Sequence, residues 1–130
     1  MRTITEKGKV IALVFDNNLE KDTVPLTPEE LPLQVIGLNY PKGKVWPLHI
    51  HEPKKRVTEY GLEAFFILQG KARIQIFKDE KETASFELKS SEGVMVLDGA
   101  IKIEVLEDLK ALEFKNGPFI KDKVILHEAS

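Results

Sequence analysis

The sequence predicts an all-β fold in a single domain, and three observations carry that prediction. Apolar residues fall in short runs of about four to seven, rich in β-branched and aromatic types, with Gly, Pro, Asn and Asp between them. No stretch keeps the apolar spacing of an amphipathic helix beyond a single turn. The chain has 130 residues, 42% of them hydrophobic, which suits one core. A chain of this size buries roughly two-thirds of its unfolded surface. A sandwich or barrel follows. The whole of 1–130 reads as one domain. Its barrel core spans about 33–115, with an N-terminal strand before it and a C-terminal arm after it.

Composition narrows the function classes. Lys and Arg number 19 against 21 acids, a net charge of −2. No basic excess is present to drive binding along a phosphate backbone, so nucleic acid is not an expected partner. Cysteine is absent, which removes disulfides, thiolate ligands and cysteine nucleophiles. Residues Met1 to Lys7 lack an apolar signal core, and no segment nears the ~18 apolar residues of a membrane span. A cytoplasmic protein with no membrane partner is expected.

The elements follow in order. Val10 to Phe15, between Gly8 and Asp16-Asn17-Asn18, reads as a short buried strand. Leu19 to Pro25 reads as a loop. Thr27-Pro28-Glu29-Glu30 is a capping box with proline at the first helical position, and Pro32 limits it to about one helical turn. Leu33 to Tyr40 is a strand, closed by Pro41-Lys42-Gly43. A short strand between Pro47 and Pro53 carries His49 and His51, followed by an exposed loop from Glu52 to Gly61. Leu62 to Leu68 and Ala72 to Phe77 are strands separated at Gln69-Gly70. Asp79 to Glu82 makes a hairpin tip, Thr83 to Leu88 returns, and Ser90 to Gly93 turns again. Val94 to Leu97 and Ile101 to Leu106 flank Asp98-Gly99. Glu107-Asp108 turns the chain into Lys110 to Phe114, and Asn116-Gly117-Pro118 breaks it. Phe119 to Leu126 is either an edge strand or an arm that packs on a partner subunit.

The chemistry concentrates at His49 and His51. On an extended chain, side chains alternate, so both imidazoles face one way. Two imidazoles and a carboxylate suit Fe(II), Mn(II), Ni(II) or Zn(II) and leave coordination positions for substrate or water. The other reading is two hydrogen-bonded histidines at a polar barrel mouth. Glu63 stands in an apolar run, in phase with Phe65 and Ile67. A carboxylate facing a barrel interior is costly unless paired or hydrogen-bonded.

The spacing Gly43, five residues, His49, one residue, His51, then Glu63, six residues, Gly70 resembles the first signature motif of the cupin superfamily. Gly93 and Gly99 look like the frame of the second motif. The stretch Glu113-Phe114-Lys115-Asn116-Gly117-Pro118-Phe119 is similar to the close of a group of small single-domain bacterial cupins. The resemblance implies a cupin-like β-barrel (jelly roll), with His49, His51 and Glu63 as metal ligands, and a homodimer. Two departures stand beside it. The interval from His51 to Glu63 is longer than usual. The third histidine of the second motif is missing, its place falling at Ile101. Ile101, Ile103 and Val105 share one face, which reads as core.

Around the histidines, Arg56 and Tyr60 in the following loop could hold a carboxylate or phosphate, while a solvated loop is the plainer reading. Trp46 could line the pocket or fill the core, and Gln75 could supply a pocket hydrogen bond. The function expected is a cupin-fold protein with a pocket at His49, His51 and Glu63 that binds a small molecule and, weakly, a divalent metal. The alternatives are a metal-free ligand-binding module, or a metal-independent sugar epimerase or isomerase with a histidine base.

Overall fold

The structure, a computed structural model, describes residues 1–127. The all-β expectation holds, with eight strands among the described residues: β1 (Arg2–Glu6), β2 (Lys9–Phe15), β3 (Asp22–Pro25), β4 (Ile36–Asn39), β5 (Glu63–Lys78), β6 (Lys81–Lys89), β7 (Gly93–Val96) and β8 (Ala100–Lys115). Strands β1, β2, β5, β6, β7 and β8 form one antiparallel sheet, and β3 and β4 form a two-stranded ribbon.

The sheet is organised by β5, at 16 residues twice the length the apolar runs suggested. One of its edges pairs with β8 from Glu63 to Phe77. The other pairs first with β7 over Glu63–Phe66, then with β6 over Lys71–Lys78. Between these halves the register slips repeatedly from Ile67 to Ala72. An extra residue in one strand bends it and sharpens its twist. The two flanking sets of strands therefore fold toward each other. Ile11, Ala12 and Val94 from β2 and β7 pack in one cluster with Ile74, Ile76 and Leu88 from β5 and β6. At the rim, the Arg2 guanidinium of β1 lies 5.0 Å over the Phe86 ring of β6. The result is a curled half-barrel with an apolar concave face, open along the outer edge of β8.

The convex face has its own core. Leu13, Phe15, Leu62, Ala64 and Met95 are covered there by Leu26, Leu31, Leu33 and Val35. Both sheet faces are thus apolar, which is why β2 reads as a continuous hydrophobic run rather than an alternating one. A bulge adds to this: Ile4 pairs with Ala12 and Thr5 with Val10, so Ile11 and Ala12 both reach the concave cluster. The carbonyl of Ile11 accepts the amides of Leu97 (2.8 Å) and Asp98 (3.2 Å).

Several local expectations are corrected. Arg2–Glu6 is a strand, joined to β2 by Lys7-Gly8, both at positive φ (52° and 78°), the geometry of a tight hairpin turn. Residues 22–25, read as loop, pair with β4. No helix forms at Thr27. The Thr27 hydroxyl, buried, accepts the Val35 amide (3.0 Å) instead of capping its own turn. Gln34 Nε2 donates to the carbonyls of Pro28 (2.9 Å) and Leu31 (2.8 Å), tying that turn down. A capping box therefore became a tertiary anchor. Glu107-Asp108 does not turn the chain, since β8 runs on through it with a bulge. Asp98 takes Lys9 Nζ (2.8 Å) and Lys78 Nζ (3.0 Å). These two ammonium groups hold its carboxyl below the ordinary range.

Candidate functional site

His49 and His51 lie in a long irregular segment, residues 40–62, between β4 and β5. The predicted strand there does not form, for a chain flanked by Pro47 and Pro53 finds no neighbour to pair with. The two rings still meet, edge to face, with centroids 5.4 Å apart. His49 Nδ1 is 2.7 Å from the Pro47 carbonyl. A carbonyl only accepts, so Nδ1 carries the proton and donates it. In the neutral form of the ring, Nε2 then keeps its lone pair. Leu48 and Ile50, in the opposite phase, are exposed as well.

Glu63 opens β5 on the concave side, half-buried, opposite Lys115. Its carboxyl is held above the ordinary range. The first cause is a hydrogen bond with Glu113, followed by burial and the Glu113 charge, with Lys115 and Lys123 pulling the other way. Lys115 Nζ is 3.9 Å from Glu63. Glu113 stands opposite Phe65, the next residue of β5 on the same face, so a diagonal cross-strand contact brings the carboxyls together. Glu113 could not be found from the sequence, because only the β5–β8 register places it beside Glu63.

The structure does not assemble the three expected ligands. Among the described residues no group of three or more His, Cys, Asp or Glu is positioned to hold a metal ion. Ile101, where a third histidine was expected, pairs with Ile76. That is thirteen positions along β5 from Glu63, on the far side of the bulges between Ile67 and Ala72.

The remaining candidates scatter. Trp46 packs edge-on against Tyr40 (centroids 5.0 Å), with Lys44 Nζ over both rings at 4.9 and 5.5 Å. These contacts gather Tyr40, Lys44 and Trp46 at the start of the segment. Arg56 turns back to the Lys54 carbonyl (3.3 Å). Tyr60 is exposed, and its carbonyl accepts from Asn116 Nδ2 (3.4 Å). Gln75 points to the convex side and donates to Glu82 (3.0 Å). Asn116, read only as a break, clamps the end of the histidine segment, its Oδ1 accepting the Leu62 amide at 2.6 Å.

The carboxyl pair yields a prediction. A carboxyl raised in the folded state binds its proton more tightly there, so its contribution is full below the unfolded value and is lost as pH rises through the folded value. Ionised Glu63 beside Glu113 therefore costs stability at neutral pH. Glu63→Gln should raise the melting temperature at pH 7 by about 2 °C, corresponding to ~0.5 kcal/mol after solvent screening of a half-exposed group. The gain should vanish near pH 4. Thermal melts of both proteins from pH 4 to 8 test it, and a gain independent of pH would show that the pair shares no proton.

Comparison of the chain with protein-family models, with curated proteins and with solved structures found no match. No helix among the described residues is long and apolar enough to cross a membrane.

Proposed function

We propose that this chain is a small cupin-like protein that binds a divalent transition-metal ion through His49 and His51 and presents it to a small polar molecule. The observation that carries the reading is the His49 Nδ1 hydrogen bond to the Pro47 carbonyl. A metal-binding imidazole characteristically donates its second ring N–H to such an acceptor, which orients the ring and leaves Nε2 for the ion. His51, across an edge-to-face contact, supplies the second nitrogen. Two imidazoles without a third protein ligand bind weakly, and water or ligand oxygens complete the shell. A divalent ion held there supplies Lewis acidity to a carbonyl or hydroxyl oxygen, as in a sugar or organic acid. The protein's share is to fix the imidazole tautomer and to keep both rings exposed to the incoming molecule.

The Glu63–Glu113 pair favours a second, metal-free reading. Two carboxyls beside the Lys115 ammonium group offer acceptors and a cation together, enough to hold a polar ligand by hydrogen bonds and charge alone. Calorimetric titration with Ni(II), Zn(II), Mn(II) and, without oxygen, Fe(II) separates the two. Under the first reading one ion binds at micromolar affinity or weaker. His49→Ala then abolishes binding, while Glu63→Gln weakens it only if the mouth closes over the segment. No heat with any ion, or heat unchanged by His49→Ala, would sink the metal reading.

A further inference from the structure

The layer that covers the convex face is not filled. A hollow of about 360 Å³ lies there between the sheet and the β3–β4 ribbon. Phe15, Ala64 and Phe66 line it from the sheet, and Leu26 and Val35 line it from the ribbon side. Protein interiors leave few voids larger than a water molecule, whereas sites for small ligands begin at roughly 300 Å³. A cavity of about 150 Å³ with walls of this kind takes up one benzene ring. This one has room for two fused rings.

The walls are preformed. Strands β3 and β4 pair only with each other among the described strands, and the ribbon is tied down at both ends. Beside Leu26, the Val35 amide donates to the Thr27 hydroxyl (3.0 Å), which in turn donates to Gln34 Oε1 (3.0 Å). Gln34 Nε2 is engaged with the carbonyls of Pro28 and Leu31. Gln34 lines the hollow, yet both ends of its amide are committed to the turn. On the other side, Asn39 Nδ2 donates to the Leu19 carbonyl (2.8 Å), which fixes the loop after β2 against β4. Phe114 of β8 forms one flank and keeps 52% of its surface exposed, apolar area that an occupant would cover.

Charge selects the occupant. Of the described residues that line the hollow, Asp16 is the one with an ionisable side chain. Its Oδ1 accepts the Asn18 amide (2.9 Å) and lies 4.0 Å from the Met1 amino group, the outer limit of an ion pair. A carboxylate has roughly four lone-pair sites, so Asp16 can accept further bonds. A ligand ammonium gains a charge-assisted hydrogen bond there. A ligand carboxylate meets like charge.

We propose that this hollow binds a small apolar amine, a body of about two fused rings whose ammonium group meets Asp16. The site lies on the face of the sheet opposite Glu63 and is independent of metal binding at the histidines.

Titration of the isotope-labelled full chain with naphthylmethylamine, followed by NMR, tests this, with naphthylmethanol and naphthoic acid as matched probes. The amine should shift the amides of Leu19, Leu26, Val35 and Ala64 and saturate. The alcohol should bind about tenfold more weakly, and the acid not measurably. Asp16→Asn should bring the amine down to the level of the alcohol, a loss of about tenfold, the scale of one charge-assisted bond at a partly open site. Phe114→Ala, at a half-exposed position, should keep the far-UV dichroism of a folded protein and weaken amine and alcohol alike by about tenfold. No saturating shift with the amine at ~1 mM overturns the proposal, since even a modest ligand efficiency gives binding in that range. Acid that binds as tightly as amine overturns it too, as do shifts centred away from the ribbon. An amine affinity unchanged by Asp16→Asn overturns the charge assignment, and one unchanged by Phe114→Ala overturns the site.

Discussion

Gly70→Ala should destabilise the folded chain by about 3 kcal/mol or more, the sum of a strained backbone and a collision that nothing flexible can relieve. Gly70 sits at φ +96° in the bulged centre of β5, a region that residues with a Cβ rarely adopt. A Cβ there would also meet the backbone carbonyl of Asp108, on the strand that pairs with β5 along nearly its whole length. Relief would require β8 to move, which breaks the register on either side. Gly43 is the control. It belongs to the same spaced motif and has φ +100°, but nothing lies within 4 Å of its would-be Cβ. Gly43→Ala should cost only ~1 kcal/mol, the backbone part alone. Denaturant unfolding at one fixed protein concentration distinguishes them, as a clear drop in midpoint for Gly70→Ala and a small one for Gly43→Ala. Equal effects would mean that the close approach of β8 at Gly70 is not maintained in solution.

The second large effect is expected at Ile74. It lies in the middle of the C-terminal half of β5, fully buried, between Phe86 on β6 and Ile103 on β8. Ile74→Ala removes three carbons from a site closed on both sides, and its cost should be about 3–4 kcal/mol, from lost transfer energy and a residual cavity. Ile103, its neighbour on the same concave face, keeps 38% of its surface exposed. Ile103→Ala should cost clearly less, about 1–2 kcal/mol, because over a third of its surface stays in water. Denaturant unfolding curves make the comparison. Similar losses at the two positions would show that Ile103 is closed off from water as fully as Ile74.

These two pairs mark what could be read from the residues alone. Gly43 and Gly70 occupy matching places in one motif. Nothing local says that one meets open space and the other a carbonyl. Ile74 and Ile103 likewise share an alternation pattern, which sets the face of the sheet and not whether anything covers it. The same limit held at Thr27, whose local capping signal lost to a hydrogen bond with Val35, eight residues away. It held at His49 and His51, where an expected strand found no neighbour and the two rings meet edge to face in an irregular segment.

By itself the sequence determined the all-β class, most strand positions, and the turns at Asp79, Ser91 and Gly99. Each follows from period-two alternation and from turn chemistry, which act within a few residues. Only the tertiary structure decided the single 16-residue β5, the curl at Gly70, the meeting of Glu63 with Glu113, and the pairing of Ile101 with Ile76. Those depend on which strands pair and in what register. Pairing joins residues fifty positions apart through backbone groups that every residue carries, so side-chain identity along the chain leaves it unmarked.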